Sequence, residues 1–125
     1  MKIIFPKVVR PLPLSEYMAE LTPVMQVWVN PPRAFLDSFG EISEIIKLKK
    51  GEKIVPVERL TEYKGRVYAW VSELLSQGEP DSKISPDELQ LMVDETTSTD
   101  PQFWGWLQAR IIAMIKDHRT TIKNA

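Results

Sequence analysis

Three places in the chain share one local device, a helix-capping residue followed directly by proline. Asn30, Ser85 and Asp100 each precede a proline, with Thr99 as an alternative cap at the third place. Asn, Ser and Asp side chains accept hydrogen bonds from the free N–H groups of a first helical turn, and proline suits the position after the cap. The device therefore predicts three helix starts, with helices over about 31–49, 86–95 and 101–119.

Apolar residues recur at helical spacing in the first of these helices and in a further one over about 57–77, which should end at Gly78. The first stripe consists of Phe35, Phe39, Ile42 and Ile46. The second consists of Leu60, Tyr63, Val67, Val71 and Leu74, with Trp70 at its edge. A short helix over 16–21, capped by Ser15, and a polar break over 96–99 complete the helical prediction.

Two segments near the N-terminus have the character of β-strands. Residues 24–30 alternate, with Val27 on one face and Trp28 on the other. Residues 2–9 are β-leaning and contain Pro6, which suits an edge strand, and Pro11 and Pro13 should end that strand. We expect the two segments to pair as an antiparallel hairpin.

Together these elements predict a mainly α fold of the α+β class. It is a bundle of about four helices with a small N-terminal antiparallel β-hairpin. We expect one domain over 1–125, since 125 residues is an ordinary domain length. It should comprise a β-rich segment (1–30), a helical region (31–119) and a frayed tail (120–125).

Composition narrows the classes of function. The net charge of −1 argues against a broad nucleic-acid-binding face. The absence of cysteine excludes disulfides and thiol chemistry. Pro6 interrupts the apolar run at the N-terminus, and no run is long enough to span a membrane. We therefore expect a soluble cytoplasmic protein without a nucleic-acid or membrane partner.

Residues that carry enzymatic chemistry are sparse. His118 is the one histidine, and a cation near a helix C-terminus is its simplest interpretation. Asp94, Glu95 and Asp100 lack the alternation and central glycine of a calcium loop. The five glycines form no nucleotide-binding motif. We expect no enzyme, no catalytic residue, no metal and no cofactor.

The last helix has more apolar surface than one core contact needs. On a helical wheel one arc is core, and it contains Phe103, Trp104, Leu107, Ile111, Met114 and Ile115. Trp106 and Ile112 fall outside this arc on opposite sides, and Arg110 can stack on the Trp106 ring. Their second neighbour is either the N-terminal segment or another chain. Trp106, Arg110 and Ile112 are thus candidate partner-binding residues.

Two further candidates flank the predicted joint at 30–32. Trp28 should lie on the outer face of the hairpin, either exposed or under the last helix, and Arg33 follows the paired prolines. We predict that both act as rim contacts for a protein partner.

Charge is unevenly distributed. Residues 79–100 contain seven acids and one base, whereas residues 110–123 contain four bases and one acid. The pattern fits two solvated faces of one domain, or electrostatic steering between copies or toward a partner.

Three segments in this order resemble a known group of proteins. They are VWVNPPRAFLDSF at 27–39, YAWVSELLSQG at 68–78, and SPDEL with TDPQFWGWLQARIIAMIKDHR within 85–119. They are similar to small tail-assembly-chaperone-like proteins encoded by tailed phages and prophages.

The resemblance implies a non-enzymatic, mainly helical protein in the bacterial host cytoplasm. It would bind a long helical client such as the tape-measure protein and form homo-oligomers, and some such proteins have a frameshifted longer form. The alternative is a structural virion connector or tail-completion protein that forms rings.

Overall fold

The computed structural model describes residues 5–77 and 83–124. Within these residues a three-stranded antiparallel sheet, in the order β1-β2-β3, accompanies five α-helices. The strands are β1 (Val9–Pro13), β2 (Val24–Trp28) and β3 (Leu75–Gln77). The helices are α1 (Arg33–Asp37), α2 (Phe39–Glu44), α3 (Val57–Ser72), α4 (Pro86–Thr99) and α5 (Phe103–Asn124). The predicted mainly helical α+β class is confirmed, and a third strand joins the predicted hairpin.

Strand β1 lies further along the chain than the predicted segment 2–9, of which residues 2–4 fall outside the described residues. It contains Pro11 and Pro13, so the prediction that these prolines end the strand is wrong. The N–H of Leu14 donates to the Pro23 carbonyl at 3.0 Å, and the N–H of Val29 donates to the Val8 carbonyl at 3.0 Å. In an antiparallel pair, every second residue directs its N–H and C=O groups toward the partner strand. Because residues 8 and 14 bond in this way, the nitrogens of residues 9, 11 and 13 point away from β2. Proline removes no ladder hydrogen bond on this outer edge.

Asn30 does not cap a helix, which corrects the first of the three predicted helix starts. Its Oδ1 accepts from the Val8 N–H at 2.7 Å, and its Nδ2 donates to the Pro6 carbonyl at 2.9 Å. Helix α1 begins at Arg33, and Pro32 occupies the N-cap position without a side-chain cap. A residue that precedes proline is disfavoured in the helical region, so Pro31 before Pro32 is held extended and delays the helix.

The predicted helix over 31–49 is two short helices that meet at Ser38 and end at Glu44. The Ser38 hydroxyl donates to the Phe35 carbonyl at 2.5 Å, and the Ser43 hydroxyl donates to the Gly40 carbonyl at 2.9 Å. Such local side-chain bonds compete with regular helix geometry, and they account for the break and the early end. Ile42 is the one fully buried residue of the predicted stripe.

The loop between α2 and α3 is held by Arg59. Its Nη1 donates to the carbonyls of Lys47 at 2.9 Å and Ile45 at 3.4 Å, and its Nη2 pairs with Glu52. The Lys49 N–H, and then Arg59, hold the pKa of Glu52 below its usual value. The loop reverses at Gly51, whose φ of 87° lies in the left-handed region that favours glycine.

Helix α3 ends at Ser72, five residues before the predicted end, and the chain continues into β3. Leu75 pairs with Val27, and the Trp28 N–H donates to the Leu74 carbonyl at 2.9 Å. Strand pairing with β2 satisfies backbone groups over this stretch and overrides its helical pattern. Gly78, the predicted helix stop, lies outside the described residues.

The other two predicted helix starts are correct. Ser85 Oγ accepts from the Glu88 N–H at 3.1 Å at the start of α4, and Asp100 Oδ1 accepts from the Gln102 N–H at 3.0 Å before α5. The predicted break over 96–99 is wrong, because the Thr96 hydroxyl donates to the Met92 carbonyl at 2.7 Å within a continuing helix. Helix α5 also continues past 119, to Asn124.

The core joins one face of the sheet to the inner faces of α3, α4 and α5. The predicted arc of α5 is buried, except that Trp104 is half-buried. The main contributors from the sheet are Leu12, Met25, Val27, Val29 and Leu75. Over the described residues, no helix combines the length and apolarity that crossing a membrane requires.

Candidate functional site

An open apolar groove of about 720 Å³ lies between α3, α5 and the α1–α2 segment; we call it the central groove. Nine of its twelve lining residues are apolar, and the three polar ones are Gln108, Lys116 and Arg119. Its volume falls within the roughly 300–1,000 Å³ of typical ligand sites. A surface of this shape can take an apolar side chain or one face of a helix.

One wall of the groove is built around Trp70 of α3. Its ring stacks on Phe35 at a centroid distance of 5.0 Å, and Phe39 meets it edge-on at 4.9 Å. Its indole N–H lies 3.1 Å from the Phe35 carbonyl and 3.2 Å from the Ser38 hydroxyl. Both groups belong to the segment in which α1 meets α2. Trp70 therefore holds the α1–α2 segment against α3 and keeps the wall in place.

The opposite wall is a second stripe of α5, distinct from its core face. Ala109, Ile112, Ala113 and Lys116 follow one another at steps of three, one and three, so they lie on one side of the helix. The two alanines leave room that larger side chains would fill. Helix α5 thus presents one apolar stripe to the core and a shallower one to the groove.

Lys116 and Arg119 place positive charge at the groove rim. Both side chains are exposed, and neither forms an ion pair with any residue in the described part of the chain. Unpaired cations beside an apolar surface favour an occupant that carries carboxylates near an apolar stripe.

A smaller groove of about 220 Å³ lies on the other side of Gln108, between α3 and the start of α5. Tyr68 and Trp104 form its base, with ring centroids 5.1 Å apart. Burial, and then the charge of Asp94, raise the pKa of the Tyr68 hydroxyl. At about 220 Å³ this groove is too small for a helix.

The structure places Trp106 and Arg110 away from the central groove, against the N-terminal segment. A 3-10 helix (Leu14–Glu16) replaces the helix predicted over 16–21 and brings Tyr17 to 4.9 Å from the Trp106 ring. Arg110 Nε lies 2.9 Å from Glu16 Oε2, so it forms an ion pair and not the predicted stack on Trp106. The second neighbour of Trp106 is thus the N-terminal segment of the same chain.

Tyr17 also ties this segment to the corner between α4 and α5. Its hydroxyl donates to Asp100 Oδ2 at 2.5 Å, and that hydrogen bond is the main reason that the pKa of Tyr17 is raised. The same carboxylate accepts from the Gln102 N–H. One aspartate therefore serves both the helix cap and the anchoring of the N-terminal segment.

The remaining predicted residues are divided among three places. Ile112 lines the central groove. Trp28 is half-buried, with the Phe35 ring centroid at 6.0 Å and Lys7 Nζ 5.0 Å from its own ring centroid, so it is not fully exposed. Arg33 is 87% exposed and pairs with Asp37 at 3.7 Å. The five candidates do not form one surface.

Sequence patterns do not mark most of the groove. They place Trp70 only at the edge of a stripe, and they assign no binding role to Ala109, Ala113, Lys116 or Arg119. A signal is present in α5, because Ala109 lies three positions before Ile112 and four before Ala113, which places all three on one side of the helix. The partner wall gave no such signal, since it depends on the break at Ser38.

The described residues contain no group of three or more His, Cys, Asp or Glu side chains placed to hold a metal ion. No protein-family model matches the chain, and no curated protein or solved structure resembles it significantly.

Proposed function

We propose that this chain is a non-enzymatic protein-binding module that holds an amphipathic helix in the central groove. Its role would be that of a tail-assembly chaperone of a phage or prophage. It would bind the long helical tape-measure protein in the bacterial cytoplasm before the tail is built.

The observation that supports the proposal is the groove itself. Binding of an amphipathic helix requires an apolar trough and a polar rim, and the central groove has both. Ile112 and Trp70 supply apolar contact on opposite walls, while Lys116 and Arg119 lie at the rim. A client helix would therefore carry acidic residues beside its apolar stripe.

A ring-forming virion connector is the second candidate. The acidic face of α4 and the basic end of α5 favour it, because opposite charges on separate surfaces of one chain suit contact between copies. A connector would remain in the finished particle, whereas a chaperone would be absent from it.

The test is co-expression with the tape-measure protein of the tail that this chain would help to assemble. Ala109→Glu places a carboxylate in the groove at an exposed position, and Ala69→Glu makes the same change at an exposed alanine of α3 outside the groove. The unmodified protein and Ala69→Glu should co-purify with the client, and Ala109→Glu should lose most of it. Equal capture by both variants, or no capture by the unmodified protein, would refute the proposal.

A further inference from the structure

Helix α4 carries an apolar side chain framed by carboxylates. Leu91 is 63% exposed. Asp87, Glu88, Asp94 and Glu95 lie three or four positions from it on the same side of the helix and are all exposed. We call these five residues the Leu91 face. None of its carboxylates forms an ion pair within the described residues.

The packing of α4 explains why this face points outward. Leu89 and Val93 are buried against the core, so they fix the inner side of the helix. Leu91 lies on the opposite side of the helix, outside the core, where its apolar side chain can enter a pocket. An exposed leucine alone is ordinary on a protein surface, but one framed by four carboxylates is a specific pattern.

The central groove is complementary to this pattern in both shape and charge. It offers an apolar trough where the Leu91 face offers an apolar side chain. It also has two cations, Lys116 and Arg119, where the face has carboxylates, and none of these groups forms an ion pair with another described residue. No residue of α4 lines the groove, so the two surfaces are separate parts of one molecule.

We propose that the central groove of one copy receives the Leu91 face of a second copy. Leu91 inserts between the Trp70 wall and the α5 wall, and the carboxylates of α4 face Lys116 and Arg119. The inference rests on the proposed function only in that both use this groove.

Two consequences follow from the geometry. A contact between two different surfaces is heterologous, so repeated copies close into a ring or extend as a helical array. In addition, a second copy and a client helix compete for one groove. Client binding would then release copies from one another. When no client is present, the Leu91 face of a second copy would cover the groove.

The experiment uses the full chain alone and measures self-association by sedimentation velocity over a range of salt. The unmodified protein should associate, and more weakly as salt rises, because salt screens exposed charges. Lys116→Glu with Arg119→Glu reverses the rim. Asp87→Lys with Asp94→Lys and Glu95→Lys reverses the Leu91 face, because three lysines then outweigh the remaining Glu88. Each charge-reversed variant should associate at least about tenfold more weakly.

Mixing the two reversed variants is the decisive arm. A basic Leu91 face then meets an acidic rim, and the remaining native face meets a native rim, so the equimolar mixture should associate again. Leu91→Gln should weaken association without changing charge, and Leu48→Gln, at another exposed leucine, should not. All of these positions are exposed, and circular dichroism confirms that each variant is folded.

Several results would overturn the inference. These are a monomeric unmodified protein, association that survives either charge reversal, or a mixture that stays dissociated. If the unmodified protein is monomeric and native mass spectrometry shows a bound fatty acid, the groove is instead a site for a small amphipathic anion. Client capture by a monomeric protein would refute this inference alone. Association with the expected charge dependence but no client capture would refute the proposed function alone.

Discussion

Trp70 lies flat against Phe35, with ring centroids 5.0 Å apart and ring planes only 9° from parallel. The same indole donates its N–H toward the Phe35 carbonyl and the Ser38 hydroxyl. Stacking and hydrogen bonding thus act on one short segment, which is the point where α1 gives way to α2. Trp70 therefore holds the junction of α1 and α2 in the wall of the central groove.

Trp70→Phe keeps an aromatic ring in the wall but removes the indole N–H. We expect the free energy of unfolding to fall by about 1–2 kcal/mol, since the Phe35 carbonyl and the Ser38 hydroxyl lose a donor. Urea denaturation measures this loss. Trp104→Phe is the matched control, because the Trp104 indole N–H has no hydrogen bond to a described residue. Equal losses in the two variants would show that the Trp70 hydrogen bonds do not stabilise the wall.

Trp106→Ala tests whether Trp106 acts in packing or in association. Its ring contacts Tyr17 and Phe103, so we expect a loss of about 2–3 kcal/mol, below the roughly 3–5 kcal/mol of fully buried aromatic residues. Thermal unfolding and sedimentation velocity on the same samples separate the two roles. If the folded variant loses association beyond its loss of stability, the sequence-based hypothesis of a partner-binding Trp106 holds. If it associates normally, Trp106 is a packing residue.

Tyr17→Phe tests the link between the N-terminal segment and Asp100. The pKa of Tyr17 is raised in the folded state, so its contribution to stability is fully present below the unfolded pKa of about 10. That contribution is lost as pH rises through the folded pKa. The stability difference between the unmodified protein and Tyr17→Phe should therefore shrink above about pH 10. A difference that stays constant across this range would contradict the hydrogen bond to Asp100.

Arg59→Met tests the anchoring of the loop between α2 and α3. Methionine retains the length of the side chain but loses the donors to Lys47, Ile45 and Glu52. Hydrogen exchange of the Lys49 and Glu52 amides, whose bonds lie within this loop, should accelerate. Arg66→Met, at an exposed arginine on the same helix, should leave these amides unchanged. Unchanged exchange in Arg59→Met would mean that the loop keeps its shape without Arg59.

Local signals in the sequence predicted the C-terminal half of the chain well. Ser85 and Asp100 cap the helices that follow them, and the core arc of α5 is buried as its spacing indicates. The same device failed at Asn30, because a second proline follows the first and excludes a helical Pro31. In this chain a cap residue before proline marks a helix start where one proline follows it, at Ser85 and Asp100, and not where two follow it.

The candidate site was predicted only through Ile112. Trp106 and Arg110 are predicted as partner-binding residues because α5 has more apolar surface than its core contact needs. In the structure the N-terminal segment of the same chain covers that side of the helix. The groove is on the other side of α5, which carries two alanines and two cations. Residue type alone favours large aromatic residues as binding sites, whereas on α5 the small side chains of Ala109 and Ala113 leave the groove open.

By itself, the sequence determined the fold class, two of the three capped helix starts and the buried face of α5. Each depends on bonds within one helical turn or on the repeat of a single helix. The tertiary structure alone decided that 75–77 is a strand, that Trp106 packs on Tyr17, and that Trp70 and α5 face each other across a groove. These features depend on partners distant in the chain, and the hydrogen bonds and packing those partners supply override local preference.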